Sequence, residues 1–301
     1  MIDIIGDIHG YADKLEELLL KLGYSKRNGA YTHTERKVLF VGDYIDRGPK
    51  IRKTLQLVKA MVDNNNAIAL MGNHEYNALC FHIHHPDGGH LRPHLIKNIN
   101  QHYKTLNAFH RKQHELDDYL EWFRSLPLFY ENEHFRAVHA YWNPKNIAYL
   151  KSISQAPLTD KHLFKTSIKG SEMYKAFDET LKGIEIKMPK GMQWEDHEKN
   201  VREEIRTRWW ENPAKMTYRN ISVEPIEQLP DLALDAKTLS TLDHYADNKP
   251  VFFGHYWLKG TPKLLKQNIC CVDFSIAKKG KLVAYRFCGE AGLNDKNLVS
   301  V

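Results

Sequence analysis

Cysteine is scarce. There are four in 301 residues, and none stands in a Cys-x-x-Cys spacing. Cys80 is alone, Cys270 and Cys271 are adjacent, and Cys288 lies near the end. This argues against a zinc knuckle or a thioredoxin-like motif and fits buried thiols in a reducing compartment. Long apolar runs are missing too: Ala67 to Met71 and Val251 to Phe253 are far too short to cross a bilayer. Met1 leads straight into Ile2-Asp3-Ile4-Ile5, without the basic start and long apolar stretch of a secretory signal. The expectation is a cytoplasmic protein with no membrane partner. There is no internal repeat, no low-complexity tract and no basic stripe, so no clear nucleic-acid-binding module stands out. What is present is ordinary for a soluble chain: 42% hydrophobic, 27% charged, and a net charge of +6 that mildly favours anionic substrates.

The first third alternates strand and helix. Ile2 to Ile5, Lys37 to Val41 and Ala67 to Met71 read as strands. Leu15, Leu18, Leu19 and Leu22 mark a helix over Tyr11 to Leu22, and Ile51, Leu55, Val58 and Val62 mark a second. This predicts parallel β-α-β units with their strand C-termini on one edge, where ligands of open α/β sheets collect. A histidine-rich loop follows from His82 to His94, then helices near Leu95 to Arg111 and Glu115 to Ser125. Strands return at Phe135 to Val138, Val251 to Phe253, Ile269 to Asp273 and Lys281 to Arg286. The stretch 144–247 reads as a mostly helical insertion or cap within a single 1–301 domain. Its helices are expected near Ser171 to Lys182 and Glu195 to Trp210.

Five polar clusters open where apolar runs end: Gly6-Asp7-Ile8-His9-Gly10, Gly42-Asp43-Tyr44-Ile45-Asp46-Arg47-Gly48, Gly72-Asn73-His74-Glu75, Val138-His139 and Gly254-His255. They offer hard oxygens, imidazoles, an amide and an arginine, a mixture suited to two divalent ions beside a phosphate. An aspartate can bridge two cations. Asp7, His9 and Asp43 make one metal shell, and Asp43, Asn73, His139 and His255 make the other. Each residue alone has a bland reading, as a turn, a cap or an interior histidine. Three glycine-framed clusters at successive strand ends are hard to explain that way.

Gly-Asp-x-His-Gly, Gly-Asp-x-x-Asp-Arg-Gly and Gly-Asn-His-Glu, followed by two separate histidines, resemble the calcineurin-like metallophosphoesterases of the phosphoprotein phosphatase type. The resemblance is strongest over the first 80 residues, with support from about 128 to 142 and 250 to 275. It implies an α/β fold in which a two-sheet β-sandwich is flanked by helices. It implies two divalent metal ions, Mn first among Mn, Fe, Zn and Ni, and attack on phosphorus by a metal-bridging hydroxide. By the same resemblance His74 donates a proton to the leaving oxygen, Asp46 holds His74, and Arg47 binds phosphate through its planar fork. A second phosphate-binding arginine is expected between the late histidines. Arg202, Arg206, Arg208 and Arg219 are available there; Arg208 is the preferred candidate, with Arg92 as another.

The substrate class stays open: a phosphoprotein, a nucleotide or a small phosphoester. The leading expectation is a phosphomonoesterase like bacterial serine/threonine phosphatases. The alternatives are hydrolysis of dinucleoside polyphosphates such as diadenosine tetraphosphate, or phosphatase or cyclic phosphodiesterase action on nucleic-acid ends. A scaffold descended from an enzyme would have lost a ligand or the general acid, and neither is lost. Tyr141-Trp142 and Tyr256-Trp257, right after the late histidines, either stack on a ligand or pack. The five histidines of the 82–94 loop match no common ligand spacing and read as a polar rim.

Overall fold

Each core strand is buried on both faces, and its two faces serve different layers. In the computed structural model, which describes residues 1–153, 157–195 and 200–301, Ile4 and Leu39 face inward between two sheets. Their neighbours Ile5, Val38 and Phe40 face outward under helices Ala12–Lys21 and Ile51–Asp63. In the second sheet Phe252 and Cys270 meet Ile4 and Leu39, while Val251, Phe253 and Cys271 pack the opposite way. Unbroken apolar runs with period-two partitioning are what doubly covered strands require.

The first sheet has six strands, ordered Asp273–Phe274, Lys281–Phe287, Ile2–Ile5, Lys37–Phe40 and Ala67–Ala69, with Leu298–Ser300 also on Lys281–Phe287. The second has four: Ile269–Cys271, Val251–Phe253, Arg136–Val138 and Phe129–Glu131. Together they form the two-sheet sandwich that the resemblance implied; β-α-β alternation alone implied one open sheet. Ile2–Ile5, Lys37–Phe40 and Ala67–Ala69 run parallel, as do Arg136–Val138, Val251–Phe253 and Ile269–Cys271. Both parallel sets therefore present their C-terminal ends to one rim.

Helices Asn73–His82, Ile96–Ala108 and Gln113–Arg124 follow the first sheet. Among the described residues no helix is long and apolar enough to cross a membrane.

The 144–247 stretch begins as expected, with helices Pro144–Ser152, Asp160–Ser167 and Glu172–Lys182. The helix expected over Glu195 to Trp210 is corrected. Val201–Arg202 pairs with Trp194–Glu195, and Glu204–Arg206 pairs with Glu185–Lys187; residues 196–199 of that expectation lie outside the described residues. The physical reason is alternation: Ile205, Thr207 and Trp209 are buried, while Arg206 and Arg208 between them are half-exposed. Ile186, Met188, Ile205, Tyr218, Ile221 and Leu229 give the insertion a small core of its own.

Candidate metal centre and its cleft

The six expected ligands leave the strand ends of both sheets and meet. Asp7 and His9 follow Ile2–Ile5, Asp43 follows Lys37–Phe40, and Asn73 opens a helix after Ala67–Ala69. His139 follows Arg136–Val138 and His255 follows Val251–Phe253. All six are buried. Ligand atoms of Asp43, His139 and His255 lie within 4.8 Å of one another, as do those of His9, Asp43 and His74. Asp43 is common to both groups.

Tight backbone makes this approach possible. His9, Asp43, Asp46, Arg47, His255 and Trp257 all have positive φ, a concentration of strain that marks functional sites. Two glycines are required by contact. A Cβ on Gly254 would lie 2.0 Å from Asp7 Oδ1, and one on Gly72 would lie 2.2 Å from Asp43 Oδ1. Glu75 ties the loop down: its Oε1 accepts from Tyr44 N (2.8 Å) and its Oε2 from Asp43 N (2.9 Å) and Gly72 N (3.0 Å).

The hydrogen bonds fix which atoms remain for a cation. His9 Nδ1 donates to Ile45 O at 2.9 Å, and His139 Nδ1 donates to Val41 O at 2.8 Å. A carbonyl only accepts, so both rings carry their proton on Nδ1 and keep a bare Nε2. Burial lowers the pKa of both rings, His139 to about 3, which keeps them neutral. His139 Nε2 then faces Asn73 Oδ1 at 3.0 Å, lone pair to lone pair. Asp7 Oδ1, His9 Nε2 and His255 Nε2 are buried without a hydrogen-bond partner. Burial and mutual repulsion raise the pKa of Asp7, and of Asp43, whose repulsive partners include Asp273 and Asp46. Orphaned acceptors and crowded carboxylates together could hold divalent cations.

Beside this set His74 Nδ1 meets Asp46 Oδ2 at 2.5 Å. Its Nε2 lies 4.0 Å from Asp43 Oδ2. Against burial, which alone would raise it, hydrogen bonds from His102 and His74 hold the Asp46 carboxyl well below the usual range.

A cleft of about 1170 Å³ opens over the site. Arg47 and Arg92 line it, and so does Arg206 from the insertion. Arg208, the preferred candidate, is not among the lining residues. Past the strand Glu204–Arg206 the chain turns, and Trp209 and Trp210 bury against the outer face of the second sheet. Arg206 has a buried Nε with no hydrogen-bond partner and lies 3.8 Å from Glu185. Arg92 is held by the neutral acceptors Asn77 Oδ1 and Gln101 Oε1. If Arg206 grips phosphate, Arg206→Ala raises KM by about 10-fold or more, the scale of one charge-assisted contact, whereas Arg208→Ala leaves KM within about 2-fold. Steady-state kinetics on one phosphomonoester checks both.

Tyr141 and Trp142 are packing residues, on Trp209 and Phe129. Tyr256 is buried as well, at the edge of the cleft, and Trp257 lines the cleft with Arg47 Cζ 5.4 Å and Lys278 Nζ 3.5 Å from its ring centroid. In the histidine-rich loop, His84 stacks on His90, His90 on His94, and His94 on Phe81.

Two residues escaped the sequence reading. Asp273 follows the run Ile269-Cys270-Cys271-Val272, as Asp7 follows Ile2 to Ile5. Its Oδ2 accepts from Trp257 N (2.7 Å) and its Oδ1 from Ser275 N (2.9 Å), bracing the loop that carries His255. His102, inside a helix, reaches Asp46 Oδ1 at 3.0 Å.

A 74-residue stretch is 51% identical to the bis(5'-nucleosyl)-tetraphosphatase PrpE [asymmetrical] of Oceanobacillus iheyensis, covering 24% of this chain and 30% of that protein. The corresponding protein of Halalkalibacterium halodurans is 48% identical over 73 residues, again 24% and 30%. The match thus spans less than a third of these relatives. Among solved structures, a protein serine/threonine phosphatase from Saccharomyces cerevisiae aligns with 100% of this chain and 78% of its own at 16% identity and a TM-score of 0.48. The family model for calcineurin-like phosphoesterases matches residues 1–212. Well over half of the chain fits that model, and the chain belongs to the calcineurin-like phosphoesterases.

Proposed function

We propose that this protein is a phosphomonoesterase that works with two divalent metal ions held by Asp7, His9, Asp43, Asn73, His139 and His255. The observation that carries the reading is that Asp7 Oδ1, His9 Nε2 and His255 Nε2 are buried acceptors without a hydrogen-bond partner, with His9 and His255 each grouped with the Asp43 carboxylate. When bound, the ions would polarise the phosphoryl oxygens and acidify a water as nucleophile. The protein does the rest. Arg47 and Arg206 hold the equatorial oxygens, and His74 delivers its Nε2 proton to the leaving oxygen. Asp46 keeps His74 oriented through Nδ1, as a carboxylate orients a catalytic histidine.

Charge in the outer cleft favours one phosphate on an otherwise mixed surface, as on a phosphoserine or phosphothreonine peptide. Asp178, Glu179, Glu185, Glu204 and Glu224 line it alongside Lys182, Lys187, Arg202, Lys259 and Lys278. A second reading, dinucleoside polyphosphate hydrolysis, draws support from Trp194 and Trp257 in the same cleft, since aromatic faces stack on bases. The test is turnover of a phosphopeptide, diadenosine tetraphosphate, a 2',3'-cyclic nucleotide and an aryl phosphate by the Mn-loaded protein. The phosphopeptide and aryl phosphate are expected to be cleaved and a chelator to abolish turnover. Cleavage of the dinucleotide alone would replace the first reading with the second. Activity untouched by chelation would remove the metal from both.

A further inference from the structure

Helix Ile96–Ala108 buries the wrong residues for a helix held by hydrophobic packing. Its buried positions are Asn98, His102 and Thr105, while Ile96 and Tyr103 are 78% and 57% exposed. Polar side chains are taken out of water at a cost unless each finds a partner, and here two of the three converge on one carboxylate. Thr105 Oγ1 accepts from Asp46 N at 3.1 Å and donates to Asp46 Oδ1. His102 Nδ1 donates to the same oxygen at 3.0 Å.

An ionised carboxylate only accepts, so the proton of His102 is fixed on Nδ1. Its Nε2 then accepts from His82 Nε2, 3.3 Å away. The other Asp46 oxygen is left to His74. Asp46 itself sits at φ 65°, a backbone conformation that needs outside support. His102 does not line the cleft, so it reaches the chemistry only through Asp46.

We propose that His102, together with Thr105, is a positioning residue for the proton donor. The pair clamps one oxygen of Asp46, so that the other meets His74 at a fixed angle and aims its Nε2 at the leaving group. The inference rests on the phosphoesterase reading above. It also accounts for the helix: its polar buried face is the rear support of the His74–Asp46 pair.

The test compares two substrates that differ in their need for a proton. An alkyl phosphomonoester leaves as a strongly basic alkoxide, whereas an aryl phosphate with an acidic phenol leaves without help. In His102→Leu and Thr105→Val, kcat on the alkyl ester should fall about 10- to 100-fold, part of what a positioned general acid supplies. That loss should exceed the loss on the aryl ester by about 10-fold. His102→Asn, which keeps an N–H near the Nδ1 position, should recover most of it. Bound metal, measured per chain, should stay at the wild-type level. Equal losses on both esters, losses on neither, or a fall that tracks lost metal would each overturn the proposal. Thr105→Val, nearly isosteric, carries the same criterion should His102→Leu fail to fold. If the wild-type protein cleaves neither ester, the phosphoesterase reading has failed; if it cleaves both and the variants do not discriminate, only the role of His102 has failed.

Discussion

His74→Ala is expected to cut kcat on an alkyl phosphomonoester by about 10²- to 10⁴-fold, the range a positioned general acid contributes. An aryl ester of an acidic phenol should lose far less. The geometry sets this asymmetry. His74 Nδ1 is taken by Asp46 Oδ2 at 2.5 Å, so only Nε2 is available to the substrate, and Nε2 opens toward Asp43 and His9. Alanine would remove the proposed proton donor and leave the Asp43 carboxylate and the neutral imidazoles in place. Metal content should therefore hold while turnover collapses selectively. Kinetics on an ester series of graded leaving-group basicity checks it. Undiminished turnover on the most basic leaving group would show that His74 is not the acid.

The candidate ligand set was legible because each cluster opens where an apolar run ends, and a strand that stops at a rim leaves its next residues there. Asp7, Asp43 and His139 all carry that signal. So does Asp273, one residue past Val272. It went unread because a lone aspartate after a strand is usually a turn, and only the fold brings it beside Asp7. His102 was harder. Asn98, His102 and Thr105 at i, i+4 and i+7 read in one dimension as a solvent-facing stripe. Only the structure turns that stripe inward onto Asp46. The sandwich itself was not in the β-α-β alternation, because pairing between sheets depends on which inward faces complement each other over 250 residues. That Arg206 and not Arg208 lines the cleft follows from where the strand Glu204–Arg206 ends and the chain turns away, which a helix assignment over Glu195 to Trp210 hid.

The crowding of carboxylates at the proposed metal centre makes the metal-free protein sensitive to pH. Glu75 is pushed up to about 8, first by burial and then by repulsion from Asp43. Asp7, Asp43 and Asp273 move the same way. A carboxyl whose folded pKa lies above its unfolded value leaves stability intact below the unfolded pKa and removes it as pH rises toward the folded pKa. His9, His139 and His255 act oppositely, since burial lowers their pKa and the folded state weakens as pH drops below about 6.5, the ordinary histidine value. The carboxyl effect is therefore clean between about pH 6.5 and 8, where the imidazoles are neutral in both states. There, each carboxyl still protonated in the folded state costs about 1.4 kcal/mol per pH unit. The chelated protein should lose several degrees in Tm from pH 6.5 to 8, on the scale of ~2 °C per kcal/mol for a chain of this size. The metal-loaded protein, with its carboxylates paired to cations, should stay nearly flat. Asp43→Asn keeps an acceptor for His74 N but removes one charge from the cluster. In chelator it should show a shallower slope and, at pH 8, a higher Tm than chelated wild type, while losing metal and turnover. Thermal melts of both proteins at the two pH values decide it. A chelated wild type as flat as the loaded one would mean that these carboxylates are not held in place for cations.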